Sequence, residues 1–269
     1  AHIDSGLPAS VAAIRVPRAA ASACGIIDAG KDRVIDRFLE KPKDPPGLPD
    51  APDMSFASMG NYIFSRKEFV ERLNADGQAK DSKHDMGGDI IPSFVDSHDC
   101  SVYDFTSNDV PGSTELDRNY WRDVGTIDAF FDAHMDLISV VPEFNLYNTQ
   151  WPILTRQTQL PGAKFTLHGT AESSIVTNGC IISGGDVDHS VLSPGVRIEN
   201  HSVVDGCVVM NNSRVGQNCT LHNVILDKNV VVPDGVQIGV DHEADEARGF
   251  TVSDNGITVV PKNVEVTPV

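Results

Sequence analysis

From about residue 170 the chain is written in short aliphatic triplets separated by Gly, Asn, Asp and Ser, and several triplets fall six residues apart. Ile198, Val204 and Met210 make one such series, and Val232 and Ile238 another. Stretches such as Val196-Arg197-Ile198, Cys207-Val208-Val209 and Val230-Val231-Val232 are strand-like, yet six residues are too few for a strand, a turn and a returning strand. A repeat this short predicts a parallel β-helix, in which each six-residue unit supplies one side and one corner and three units close a coil. Stacked coils bury a column of aliphatic side chains and pair each backbone with the next. The step from Met210 to Val215 is a slip in this register. A β-sandwich of short strands is the competing reading.

Before residue 150 the texture is mixed. Ser10 to Val16 is an apolar run suited to a buried strand, and Cys24–Asp28 with Arg33–Leu39 reads as a hairpin around Ala29-Gly30-Lys31-Asp32. Ser58–Phe64 reads as a short strand. Ser65–Leu73 reads as a helix, with Ser65 as N-cap and Glu68 completing a capping box. Ile90–Ser97 and Ile127–Val140 are further helix candidates, the second with Ile127, Phe130, Phe131, His134, Leu137 and Ile138 at helical spacing. The mixture predicts an α/β domain, with α+β close behind. Residues 141–163 carry Pro142, Pro152 and Pro161 with little periodicity, which marks a linker that Trp151 packs onto a neighbour. The expected organisation is a first domain over 1–146, a linker over 147–163 and a repeat domain over 164–269.

With 38 acidic against 21 basic residues the net charge is −17, which argues against nucleic acid or an anionic membrane as partner. No apolar run is long enough to span a bilayer, and the opening residues do not have the pattern of a signal peptide. The five cysteines are odd in number and form no C-x-x-C pair, so reduced thiols in a cytoplasmic protein are expected.

Four stretches carry candidate chemistry. In Phe38-Leu39-Glu40-Lys41-Pro42 a strand ends in opposite charges. Lys41 is suited to pin a phosphate and Glu40 to accept from sugar hydroxyls, while Pro42 keeps Lys41 out of right-handed helical angles. The dipeptide taken alone favours a surface ion pair at a strand end. In Ser58-Met59-Gly60-Asn61-Tyr62 the glycine would allow close approach of a ligand to the backbone. In Tyr120-Trp121-Arg122-Asp123-Val124-Gly125-Thr126, Asp123 is either a metal ligand or part of a helix cap. In His84-Asp85-Met86-Gly87-Gly88-Asp89-Ile90-Ile91-Pro92, Asp89 is expected to cap the next helix.

FLEKP, SMGNY, HDMGGDIIP and YWRDVGT, followed by the linker SVVPEFNLYNTQWPI and the hexad repeat, together resemble the bacterial ADP-glucose pyrophosphorylases (glucose-1-phosphate adenylyltransferases) over essentially the whole chain. The resemblance implies a partial, Rossmann-like α/β nucleotidyltransferase domain followed by a left-handed parallel β-helix of hexapeptide repeats. It implies synthesis of ADP-glucose and pyrophosphate from ATP and glucose 1-phosphate for glycogen, with Mg²⁺ as cofactor and a homotetramer as assembly. Carried over by motif, Gly25, Glu40, Lys41 and Ser58 are the glucose-1-phosphate residues, with Lys41 and Asp123 catalytic and Asp123 the second of two Mg²⁺ ligands. Cys24 stands where the family usually has Phe. Arg248 and Lys262 are candidates for the family's allosteric site, with solvated surface charge the competing reading. His222 lies where some relatives place an effector-binding Arg, so the effector's identity does not transfer.

The family's Gly-rich loop, Lys-Arg pair and first metal aspartate are not found in this sequence. The expectation is a fragment without the ATP-binding loop and inactive alone. The alternatives are another sugar-1-phosphate nucleotidyltransferase, a non-catalytic regulatory subunit of the same fold, or a hexapeptide-repeat acyltransferase working through His189, His201 or His222. Retention of both Lys41 and Asp123 argues against the second. The mixed segment that precedes the linker argues against the third, which leaves it unexplained.

Overall fold

The computed structural model describes residues 1–156 and 158–267. Gln157, in the expected linker, and Pro268 and Val269, at the end of the expected repeat domain, lie outside the described residues. The chain forms two compact units, Ala1–Trp121 and Arg122–Val269.

The first unit is built on five strands, β1 (Ala9–Pro17), β2 (Gly25–Ala29), β3 (Ile35–Glu40), β4 (Met54–Phe64) and β5 (Cys100–Asp104), in the order β3-β2-β4-β1-β5. β1 runs parallel to β5 and antiparallel to β4. β2 and β3 form the expected hairpin. β4 starts earlier than the sequence suggests because Ser55, Phe56 and Ala57 are all buried within it. Its register against β1 jumps between Val11↔Tyr62 and Ala13↔Ser58, so Met59-Gly60-Asn61 bulges out, with Gly60 at φ 70°. One face of the sheet buries Val11, Ala13, Ile27, Ile35, Phe56 and Val102 together with Ile91 and Phe94 of the helix Ile91–Val95. The other packs Ile26 and Ala57 against Ala21.

Two capping expectations are corrected. Ser65 does stand at the N-cap of the helix Arg66–Asp76, but its side chain makes no cap bond and the box with Glu68 does not form. Asp89 does not cap the next helix. Its carboxylate accepts from the Lys83 and Asp85 N–H groups at 3.2 and 3.0 Å, while Asp85 accepts from Gly88 N–H at 2.6 Å. Two acids therefore share one tight loop, and a π-type turn over Met86–Ile90 leads into Ile91–Val95.

The second unit is a parallel β-solenoid with three sheets. Asp205 pairs with His222 on the next coil, a separation of 17 residues. The same step takes Arg197 to Arg214, Arg214 to Val231 and Val191 to Val208. Each such coil is thus two sixes and a five, and the five falls between Val204 and Val209, not between Met210 and Val215 where the sequence places the slip. The inward column runs Ile198, Val204, Val209, Val215, Leu221, Leu226, Val232 and Ile238, each at most 1% exposed. Val209, not Met210, takes the third place. Met210 points out of the column and packs with Phe131 and Ile225.

Buried serines satisfy the corners. Ser202 donates to Gly216 O at 2.6 Å and accepts from Cys219 N–H at 2.9 Å, and Ser213 does the same with Asp227 O and Val230 N–H. One coil is short. Asp186 pairs with Thr170 at a separation of only 16 residues, and the lost residue falls at the Gly184-Gly185 corner. Gly184 takes φ 73°, and a Cβ on Gly185 would stand 2.9 Å from the Glu199 carbonyl oxygen, so side chains at this corner would be strained.

The far end is closed by the helix His242–Ala247, whose Asp245 is fully buried. Asp245 accepts from Gly239 N–H at 2.7 Å and Thr258 Oγ1 at 3.0 Å, and pairs with Arg248. The amphipathic helix Ile127–Ile138 lays Phe131 on Val208, Ile225 and Ile257 of the solenoid, although it falls within the 1–146 segment that the sequence reading assigns to the first domain. Trp151 does not pin the linker. It is 61% exposed, in a stretch where Val141, Tyr147, Ile153 and Leu154 are also exposed.

The cysteines are free, four of them buried and Cys24 half-buried. Burial pushes the Cys100 and Cys207 thiols up to about 12, so both are inert packing groups. Among the described residues no helix is long and apolar enough to cross a membrane.

Candidate active site

The sheet of the first unit brings Glu40, Gly25 and Ser58 into one row. Glu40 pairs with Gly25 across the hairpin, and β2 meets β4 through Ile26↔Ala57 and Ile27↔Phe56, so the next position sets Gly25 alongside Ser58. Residues directly opposite in neighbouring strands project from the same face. A carboxylate, a bare backbone position and a hydroxyl therefore line up across three strands. A Cβ on Gly25 would press on the Phe38 ring at 3.2 Å and touch Glu40 Oε2 at 3.5 Å, so a side chain there would take up the space between ring and carboxylate.

Lys41 follows the end of β3 and takes φ 46°, the left-handed region that non-glycine residues adopt only at a cost of roughly 1 kcal/mol or more. Pro42 excludes the right-handed helical alternative, and the Lys41 N–H is tied to Cys24 O at 3.1 Å. This turn sets Lys41 Nζ 3.4 Å from Glu40 Oε1, with both side chains about two-thirds exposed. A pair this open contributes little to stability and leaves both groups available to a ligand.

The proline loop beyond it is held at several points. Arg18 Nε donates to Pro45 O at 2.6 Å, Ser55 Oγ to Pro46 O at 2.7 Å, and Leu48 is buried. A Cβ on Gly47 would stand 2.3 Å from Pro52 O, so the loop folds back closely on itself. The strand end is therefore fixed on both sides. Gly60, by contrast, has open space around its missing Cβ, so it serves the bulge's backbone conformation.

Asp123 belongs to the second unit. Its Oδ1 accepts from Gly125 N–H at 3.0 Å. The cap of the helix Ile127–Ile138 is made by Thr126, whose hydroxyl accepts from Ala129 N–H at 3.2 Å. Asp123 is thus not the cap, and its Oδ2 accepts no protein hydrogen bond among the described residues. A hard oxygen donor held by a turn fits a divalent cation such as Mg²⁺.

Of the basic candidates in the terminal segment, Arg248 is committed internally. It pairs with buried Asp245, donates to Gln237 O at 2.7 Å and stacks over the Phe250 ring at 5.1 Å. Lys262 is exposed. The sequence reading misses Phe38, whose ring lies beside Gly25 and Glu40. A signal for it exists, because Phe38 and Glu40 are alternate positions on one strand and share a face.

A family model described as nucleotidyl transferase matches residues 1–140, and one described as the GlmU-like C-terminal hexapeptide matches residues 161–260. The chain belongs to the nucleotidyl transferase family. Among its curated relatives it is 62% identical over 265 residues to a glucose-1-phosphate adenylyltransferase of Cutibacterium acnes, matching 98% of this chain and 65% of that protein. Proteins of the same name from Frankia casuarinae and Corynebacterium diphtheriae are 54% and 55% identical, again over 98% of this chain and over 66% and 62% of their own lengths. The chain thus spans just under two thirds of the length of these relatives.

Proposed function

We propose that this chain is part of a glucose-1-phosphate adenylyltransferase that makes ADP-glucose and pyrophosphate from ATP and glucose 1-phosphate, in the cytoplasm and for glycogen synthesis. The observation that carries the reading is the Glu40–Gly25–Ser58 row with Lys41 at its edge. An ammonium suited to an anion, a carboxylate suited to accept from hydroxyls and a serine hydroxyl beside a bare glycine position support this reading. In this reading Lys41 Nζ turns from Glu40 to the phosphate of glucose 1-phosphate, Glu40 accepts from sugar hydroxyls, and Ser58 Oγ bonds the same sugar. Gly25 keeps the space between them clear.

The phosphate so held attacks the α-phosphorus of ATP in line, and pyrophosphate leaves. The attacking oxygen is already anionic, so no residue is needed as general base. Positioning and charge neutralisation supply the rate. Asp123 would hold Mg²⁺, which when bound supplies compensation for phosphate charge. The assembly is a homotetramer. Allosteric regulation is retained in this proposal, with Lys262 the remaining basic candidate of the two because Arg248 is committed to Asp245.

The test is Lys41→Glu in the natural full-length protein, assayed by pyrophosphate release. The expected result is an apparent KM for glucose 1-phosphate raised about 100-fold or more, with the KM for ATP little changed. An unchanged KM for glucose 1-phosphate would remove Lys41 from the site. Failure of the unsubstituted enzyme to use glucose 1-phosphate with ATP would sink the whole assignment.

A further inference from the structure

One outer face of the solenoid gathers two carboxylates and two imidazoles on three successive coils. Asp188 is paired with Asp205 on the next coil, and Asp205 with His222 on the one after. His189 Nδ1 lies 3.0 Å from Asp188 Oδ1, and His222 Nδ1 lies 3.1 Å from Asp205 Oδ2. The ligand atoms of Asp188, His189 and Asp205 all fall within 4.8 Å of one another. On the other side of Asp188 its paired position is Glu172. Carboxylates thus stack on three neighbouring strands, an arrangement in which like charges directly opposite one another destabilise a sheet. Among the described residues the only basic groups paired with Asp188 and Asp205 are the two imidazoles.

We propose that Asp188, His189, Asp205 and His222 form a surface site for a first-row divalent cation of the Zn²⁺ class. Two imidazole nitrogens with two carboxylate oxygens make a four-coordinate donor set of the kind that Zn²⁺ takes. With metal–ligand bonds of about 2.0 Å, the edge of a tetrahedron is about 3.3 Å, close to the two N···O separations in place. The four side chains are between 42% and 63% exposed. Asp188, Asp205 and His222 stand on successive rungs of one backbone ladder, and His222, already beside Asp205, is the ligand that must turn towards the other three to complete the shell. Mg²⁺, which prefers an all-oxygen shell and keeps its waters, is the poorer match, and this separates the site chemically from Asp123. The bound ion would neutralise the carboxylate stack and clip three coils together, so the folded solenoid gains stability by linkage. The site does not depend on the catalytic reading.

The experiment is calorimetric titration of Zn²⁺ into chelator-treated protein, with Asp123→Asn in every sample so that this carboxylate cannot contribute. The parent is expected to bind one Zn²⁺ per chain, and His189→Gln/Asp205→Asn to bind it about tenfold more weakly or not at all. Co²⁺ should give the parent, and not the variant, the visible spectrum of a tetrahedral site. Equal melting temperatures in chelator would show that the exposed substitutions leave the fold intact. If the double variant does not fold, His222→Gln alone serves, again with weaker Zn²⁺ binding expected. Parent protein that binds no Zn²⁺, or variants that bind it as tightly as the parent, would overturn the proposal and leave two independent histidine–aspartate ion pairs.

Discussion

Both units bury aliphatic side chains, but by opposite means. In the solenoid each buried residue meets its counterpart one coil on, as Val204 meets Leu221, and the same contact recurs along the column. In the first unit the central partners are distant in sequence. Ala9 pairs with Cys100, and Ser10 Oγ shares a buried hydrogen bond of 2.8 Å with Ser101 Oγ. A stack of near-neighbour interfaces loses stability piecewise, whereas a sheet closed by long-range pairs is lost as a whole. The site follows that division, since the Glu40–Gly25–Ser58 row needs three strands at once and is placed in the cooperative unit.

The largest effect expected is Phe94→Ala. Phe94 is fully buried at the centre of the first unit's core, and truncation should cost about 4 kcal/mol there. Urea unfolding should show an early transition moving while the solenoid transition stays. If both move together, the units are not separable in stability and the comparison fails.

Next is Asp245→Asn, which leaves the Arg248 charge uncompensated in a buried position and should cost about 3 kcal/mol. Hydrogen exchange should quicken around Gly239 and Thr258 and remain slow in the early coils. Uniform quickening would show the solenoid to be as cooperative as the sheet.

The smallest effect is Asp104→Asn, about 1–2 kcal/mol at neutral pH. Burial pushes the Asp104 pKa upward, but hydrogen bonds from Thr106 and Arg15 more than offset it and hold the carboxyl below its ordinary range. Its stabilisation is therefore complete above the unfolded value near 4 and is lost as pH falls through the lower folded value. The difference between parent and variant should shrink in acid and vanish at the lowest pH. A difference that persists there would assign the effect to packing.

The repeat is legible in the sequence because its period is imposed by geometry at every coil. Val209 and Met210 show the limit of that reading. Both are apolar, and only the short step of each coil decides which turns inward. Glu40 with Lys41 is legible because a strand that ends in opposite charges before a proline is unusual. The alignment with Gly25 and Ser58 is not, since it depends on the pairing of β2 with β4 across an intervening strand and loop. Asp85 and Asp89 have the same chemistry and the same loop, so which one caps is settled by backbone angles that no spacing reports. For Trp151, size alone predicts burial, while the large apolar residues around it in the linker, Tyr147, Ile153 and Leu154, are exposed as it is.

Gly184-Gly185 has a consequence for how this repeat accommodates changes in chain length. The strand pairs on either side of that corner keep their phase although one residue is missing, so inward residues stay inward in every later coil. A residue lost within a paired stretch would instead exchange the two faces of that strand. The corners therefore act as the joints at which length drifts. The paired stretches act as a fixed scale, and alignment of one coil with another is most faithful when gaps are confined to corners.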